Sequence, residues 1–123
     1  DYDTDTFYGM LLVNTYTPDF DTYVKRSSLT AHEASGTGYT AGGSVISVTV
    51  SAFNTGTNTQ SITLGGFTLS TSSVTARYCA YYKRRGGADT ADELIGLNDF
   101  GSDKTSVAGD FVVNSSTFNV VLN

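Results

Sequence analysis

Val45-Ile46-Ser47-Val48-Thr49-Val50-Ser51-Ala52-Phe53 sets Ile46, Val48, Val50 and Ala52 on one side and Ser47, Thr49 and Ser51 on the other. A period of two marks a half-buried strand, because successive side chains of extended backbone point to opposite faces. The polar run Asn54-Thr55-Gly56-Thr57-Asn58-Thr59 follows, and Gln60 to Leu64 then returns with Ile62 and Leu64 inward. Two alternating runs joined by such a polar turn predict a β-hairpin.

Toward the N-terminus, Thr6 to Asn14 sets Phe7, Gly9, Leu11 and Val13 against Tyr8, Met10, Leu12 and Asn14. Apolar groups on both sides predict a strand buried on both faces. Thr17-Pro18-Asp19-Phe20 predicts a turn, since Pro presets φ and Asp bonds its own backbone. Asp21 to Ser35 has no clean period and reads as a loop with one short helical turn around Tyr23 to Ser28. Gly36, Gly38, Gly42 and Gly43 then flank Tyr39, which predicts backbone that bends or passes close to another segment.

Toward the C-terminus, Gly65-Gly66 punctuates the chain before Phe67-Thr68-Leu69, either a short strand or the end of a bent one. Val74, Ala76, Tyr78, Ala80 and Tyr82 alternate with Thr75, Arg77, Cys79, Tyr81 and Lys83, as in a central strand with one face in the core and the other against a neighbour or lightly covered. Lys83 to Glu93 reads as a charged loop, Leu94 to Phe100 as a strand, Gly101 to Gly109 as a loop, and Phe111 to Val113 and Phe118 to Leu122 as the last strands. About eight short strands with frequent turn signals predict an all-β fold, an antiparallel β-sandwich or barrel. No internal repeat or composition shift divides the chain, so residues 1–123 read as a single domain.

Composition agrees. Of 123 residues 39% are hydrophobic and 15% charged, with eight Tyr, seven Phe and no Trp, so aromatic and β-branched residues outweigh good helix formers. No apolar run approaches the roughly 20 residues of a membrane span, and the expectation is a soluble protein with no membrane partner. No basic, apolar signal segment opens the chain, and because it begins at Asp1 rather than Met, secretion stays open.

Chemistry is sparse. One cysteine, Cys79, allows no internal disulfide and reads as a small buried hydrophobe; one histidine, His32, anchors no His/Cys metal cluster and reads as a loop residue. Asp1-x-Asp3-x-Asp5 resembles the opening of a calcium loop, but Thr6 stands where the glycine belongs and Leu12 where a bidentate Glu belongs. Gly36-x-Gly38-x-x-Ala41 spells a dinucleotide fingerprint, yet a strand follows it where that motif needs a helix. Asn114-Ser115-Ser116 spells a glycosylation acceptor, which matters only in a eukaryotic secretory route. No nucleophile, acid and base can be named together, and the expectation is no enzyme, no catalytic residue, no metal and no cofactor. Lys83-Arg84-Arg85 is the only basic run and lies beside Tyr81 and Tyr82. Against a net charge of −5 it suits a protein partner with acidic patches, or a solvated hairpin end, better than nucleic acid.

Several segments together resemble a family of small virion structural proteins of tailed bacteriophages. They are Asp3-Thr4-Asp5-Thr6 leading into Met10-Leu11-Leu12, Tyr16-Thr17-Pro18-Asp19, the box from Glu33 through Gly36-Thr37-Gly38-Tyr39 to Gly42-Gly43, Arg77-Tyr78 to Tyr82, Leu94-Ile95-Gly96, Asp99-Phe100-Gly101-Ser102-Asp103 and Gly109-Asp110-Phe111. The glycine box is the most specific of them. The chain departs from the family pattern in lacking a Trp after Phe67 and a Gly between Ser116 and Leu122, which bears on loops and edges. The resemblance implies a jelly-roll-like sandwich acting as a capsid decoration, or cement, protein. Such a protein binds the exterior of the assembled head and bridges major capsid protein subunits, associates with itself as a dimer or trimer there, and is assembled in the bacterial cytoplasm.

On that reading the contacts fall on the N-terminal acids, including Asp3 and Asp5, on the glycine box around Tyr39, and on the tip carrying Arg84 and Arg85 beside Tyr81 and Tyr82. Tyr39 serves either as an aromatic anchor or as a plug for the end of the fold. The alternative is a carbohydrate- or receptor-binding module of a tail or head fibre, with Tyr81 and Tyr82 as flat faces for sugars.

Overall fold

The computed structural model describes residues 5–17 and 25–121. Among them nine strands, every pairing antiparallel, form two sheets. The larger contains β1 (Thr6–Leu12), β2 (Gly36–Thr37), β3 (Ser44–Ile46), β6 (Phe67–Arg84), β7 (Glu93–Thr105) and β8 (Gly109–Val113). The smaller is β4 (Val48–Val50), β5 (Thr59–Leu64) and β9 (Ser116–Val121), with β5 in the middle. Short 3₁₀ turns occupy Arg26–Ser28, Thr30–His32 and Asp89–Ala91. The expected helical turn thus falls at its C-terminal end, with a second beside it. The expected turn at Pro18 and the strand end at Leu122 lie outside the described residues.

The run Val45–Phe53 is two strands rather than one. β3 pairs with β1 in the large sheet and β4 pairs with β5 in the small one, with the crossing at Ser47. There the Gly65 amide donates to the Ser47 carbonyl at 2.7 Å, and a Cβ on Gly65 would lie 2.4 Å from Ser47 Oγ. Ile46, Val48 and Val50 nevertheless pack on one core cluster, so the alternation runs unbroken through the switch of sheets. The hairpin turn forms as expected: Asn54 Oδ1 accepts from the amides of Gly56 and Thr57 at 2.9 and 3.2 Å.

β1 is buried on both faces, as its two-sided apolar pattern predicts. Phe7 and Leu11 join a cluster built from both sheets, with Ile46, Ile62, Leu64, Leu69, Phe111 and Val113. Met10 and Leu12 face a second cluster, where Tyr16 and Leu29 cover the opposite side of the large sheet.

β6 joins the two runs at Phe67 and Val74 into one bent strand of 18 residues. The bend is at Thr71, where φ is +49° and the register with β8 shifts between Leu69 and Ser72. Buried Ser72 holds it, its Oγ lying 2.8 Å from Ser106 Oγ, 2.9 Å from the Gly109 carbonyl and 3.1 Å from the Leu69 carbonyl. Past Ala76 the core parity changes: Val74, Ala76, Cys79 and Tyr81 share one cluster, whereas Tyr78, Ala80 and Tyr82 share the other. The register with β7 shifts at the same place, because Ala76 pairs with Lys104 but Tyr78 with Asp99. β7 therefore runs on through Gly101 to Thr105, a stretch that reads as loop. Gly101 at φ +84° and the Asp99 carboxylate, accepting from its amide at 2.8 Å, form the bulge.

The glycine box does pass close to another segment. Gly43, at φ +91°, lies against β1 so tightly that a Cβ would fall 2.0 Å from the Gly9 carbonyl oxygen. Gly86 has a similar φ of +86° with nothing within 4 Å of its Cβ position. Gly86→Ala is expected to cost about 1–2 kcal/mol of left-handed strain alone, and Gly43→Ala about 3 kcal/mol or more because backbone must also move. Urea denaturation of the two variants measures the difference.

Candidate functional site

Antiparallel pairing of β1 with β6 sets Thr6 opposite Arg84 and Tyr8 opposite Tyr82. This brings the start of β1, the end of β6 and the Gly42 end of the glycine box to one end of the large sheet, whereas the start of the box, Gly36–Thr37, pairs with Ser73 and Val74 farther down β6. Asp5 Oδ2 lies 2.8 Å from Lys83 Nζ. Hydrogen bonding to that ammonium lowers the Asp5 carboxyl from its ordinary 3.8 to about 2. Asp3 lies outside the described residues.

Arg84 and Arg85 are both exposed and have different surroundings. Arg85 is paired with Glu93, Nε donating to Oε1 at 3.1 Å and Nη2 reaching the same oxygen. Arg84 instead lays its guanidinium over the ring of Tyr8, with Cζ 4.8 Å from the centroid. Tyr8 stacks on Tyr82 at 5.9 Å between centroids and 28° between planes, and Arg26 lies over Tyr82 at 5.1 Å. The result is a ladder of Arg84, Tyr8, Tyr82 and Arg26.

The lower arginine is anchored. Asp92 is fully buried, 0% exposed, and its Oδ2 is 2.9 Å from Arg26 Nε, an ion pair set off the line of the N–H bond. Asp92 Oδ1 accepts from the Arg85 amide at 2.9 Å, and its carbonyl accepts from the Arg26 amide at 2.8 Å. Taking either charge away would leave the other buried and unpaired, a cost on the order of 3–5 kcal/mol. Neither Arg26 nor Asp92 stands out in sequence. They are far apart in the chain and belong to no motif.

Tyr39 is half buried and its hydroxyl is fully engaged. It donates to Glu33 Oε2 at 2.6 Å and accepts from the Leu11 amide at 3.1 Å, while the Gly42 amide donates to the same carboxylate oxygen at 2.7 Å. Burial, reinforced by Glu33, raises the phenol far above its ordinary range. Of its two expected roles, these bonds match the plug. Tyr82 hydroxyl donates to the Gly42 carbonyl at 2.5 Å, so the glycine box is tied to β1 and β6 at once.

Tyr81 and Tyr82 are core residues, 1% and 0% exposed, and neither offers a ring face to solvent. Their aromatic character sits beside the basic tip in sequence, but a strand covered on both faces turns both rings inward. The Tyr81 hydroxyl lies among Cys79, Asn98 and Ser116 without reaching hydrogen-bond geometry with any described residue, and burial pushes it up to about 12. Cys79 is fully buried, its thiol likewise raised to about 12 by burial. His32 Nδ1 lies 3.1 Å from Thr15 Oγ1.

A separate cleft of about 350 Å³ opens between β7 and β8, lined among others by Asn98, Phe100, Lys104, Asp110, Phe111 and Asn114. No group of three or more His, Cys, Asp or Glu able to hold a metal occurs among the described residues. No protein-family model, no curated protein and no solved structure matches the chain.

Two outcomes follow from this geometry. Tyr39→Phe removes the partner of the Leu11 amide and one donor to Glu33, and is expected to lower unfolding free energy by about 2–3 kcal/mol with an unchanged urea m-value. Because Asp5 titrates lower when folded, its pairing stabilises the protein above pH ~4 and is lost as pH falls toward 2. In Lys83→Met the Asp5 carboxyl should return toward 3.8 in an NMR titration, with less loss of stability between pH 4 and 2.

Proposed function

We propose that the protein is a structural component of a bacteriophage particle, a jelly-roll-like sandwich that decorates the outside of the assembled head and bridges major capsid protein subunits. The observation that carries this reading is the convergence of segments distant in sequence at one end of the large sheet. Asp5, the Gly42 end of the glycine box and the tip at Lys83–Arg85 meet there, and each belongs to a segment on which contact with the shell is expected. Arg84 and Arg85 are exposed at that end, whereas Tyr39 and Tyr82 hold it in shape.

The mechanism is mass action. A protein that binds the assembled shell and not its dissociated subunits adds its binding free energy to the shell's stability. Symmetry multiplies the effect, since many copies, associating as dimers or trimers on the shell, act through modest interfaces at high effective concentration. No bond is made or broken.

The β7–β8 cleft favours the second reading, a saccharide- or receptor-binding module of a fibre. Its amides, Lys104 and Asp110 suit hydroxyl groups, and Phe100 offers a half-buried ring beside them.

Particles lacking the protein should assemble but rupture at lower temperature. Added wild-type protein should restore heat resistance, and the doubly reversed variant Arg84→Glu, Arg85→Glu should not. Knockout particles as heat-resistant as the parent would remove the cement role. Saturable glycan binding by the isolated protein, mapped by NMR to the cleft, would favour the fibre module instead.

A further inference from the structure

The ladder at the end of β6 has the form of a receptor. Both outer members are guanidinium groups, and each lies over the ring beside it, with Cζ 4.8 Å from the Tyr8 centroid for Arg84 and 5.1 Å from that of Tyr82 for Arg26. A guanidinium stacked on an aromatic face keeps its N–H edge free for acceptors in its own plane, and the stacking fixes the direction of that edge before anything binds. The two guanidinium groups approach each other over Gly42. From the point where a Cβ on Gly42 would sit, Arg26 Nη1 is 3.3 Å away, Tyr82 Oη 3.6 Å and Arg84 Nη1 3.9 Å. Gly42 leaves that point to the arginines because it has no side chain, and its backbone is held by Glu33 on one side and Tyr82 on the other.

Charge balance at this end is uneven. Lys83 has Asp5, Arg85 has Glu93 and Arg26 has Asp92. Arg84, among the described residues, has no carboxylate within 4 Å. Burial raises the Tyr82 phenol, and the nearby charges of Arg26 and Arg84 oppose that rise, which agrees with both cations bearing on one spot. Asp92 compensates Arg26, and Glu33 is taken up by the Tyr39 hydroxyl and the Gly42 amide on the other side of the backbone, so exposed Arg84 is the cation left to receive an added anion.

We infer that Arg84 and Arg26, braced by the Tyr8–Tyr82 stack over Gly42, form a fork for the carboxylate of an acidic segment on a partner protein. Two in-plane N–H edges suit the two oxygens of a carboxylate, and a planar, directional pair of donors selects that group over a diffuse negative field. Arg26, only 15% exposed, supplies the rigid inner prong. Exposed Arg84 supplies the outer one. The inference builds on the reading of the protein as a passive binder, to which it adds the chemistry of the partner.

The test is an NMR titration of the whole ¹⁵N-labelled chain, followed at the Gly42 amide and at Arg84 Nε. The probes are a capped oligoglutamate peptide, its oligoglutamine counterpart, inorganic phosphate and oligothymidylate. Oligoglutamate should give a saturable shift at both positions, and oligoglutamine none. Arg84→Gln should weaken oligoglutamate binding about tenfold or more, the loss of a charge-assisted pair. Arg84→Lys, which keeps the charge without the planar fork, should weaken it several-fold, and Arg77→Gln, at an arginine paired with Asp99 farther along β6, should leave it within about twofold. The Arg84 variants should stay close to the parent's stability in urea, because Arg84 supports no buried charge. Absence of a saturable shift at Gly42, or equal binding by Arg84→Gln, overturns the fork. Tighter binding of oligothymidylate or phosphate than of oligoglutamate overturns the protein carboxylate as its ligand. These results bear on the fork alone, whereas undiminished heat resistance of knockout particles removes the cement role and leaves the fork standing.

Discussion

The outer edge of β1 has to be satisfied from inside the protein. β1 is buried on both faces, so water cannot complete its hydrogen bonding, and an unpaired amide there costs about 1–3 kcal/mol. No single strand is long enough for the task. β3 serves Phe7 to Gly9, and the segment after the second 3₁₀ turn serves the other end, with Ala34 donating to the Leu11 carbonyl and Val13 to that of His32. Between these partners the Leu11 amide is met by the Tyr39 hydroxyl, a side chain standing in for backbone. That hydroxyl is aimed by Glu33, and Glu33 also fixes Gly42. The glycine box thus exists to bring Tyr39 in and then return the chain as β3, and Gly43 is pressed onto Gly9 because nothing larger fits the return.

The same arrangement delivers the exposed end of the molecule. Gly42 is fixed by a structural need of β1, yet it also takes the Tyr82 hydroxyl and forms the floor beneath two guanidinium groups. The side chains on the outside are therefore held by core residues rather than by a loose loop. Tyr82 is covered, Asp92 is covered, and only the outermost arginine is free to rotate off its ring. Preorganisation of this kind lowers the entropy lost on association, and a small contact gains from it in proportion.

Much of the fold was legible because burial leaves a period in the sequence. Phe7 and Leu11 against Met10 and Leu12 announced a two-faced strand, and Asn54 to Thr59 announced a turn. The switch of sheets at Ser47 was not legible, since Ile46, Val48 and Val50 face one core before and after it and the alternation never falters. The length of β6 was hidden by Thr71, whose positive φ bends the strand amid polar residues that read as its end. Three residues of the candidate end, Asp5, Arg84 and Arg85, were found from their charge and from resemblance. Their neighbours were missed for a physical reason: Arg26 meets Asp92, and Tyr8 meets Tyr82, through pairings between distant strands and turns that no local spacing encodes. Tyr81 and Tyr82 drew attention through proximity to the basic run, although an aromatic pair on a strand with apolar groups on both faces is more economically explained as core.

Net charge and local charge act at different ranges. The chain carries −5 overall, so its mean field repels an acidic partner, but that field fades over a Debye length of roughly 8 Å at physiological salt. Inside that distance the partner meets Arg84 and Arg26 rather than the average. Encounter is then slow by electrostatic standards, because no long-range steering assists it, and selectivity rests on contacts made at close approach. On the proposed reading this division is useful: general repulsion would keep acidic proteins from adhering at random, while a carboxylate presented many times over by a symmetric shell would be retained through short-range geometry.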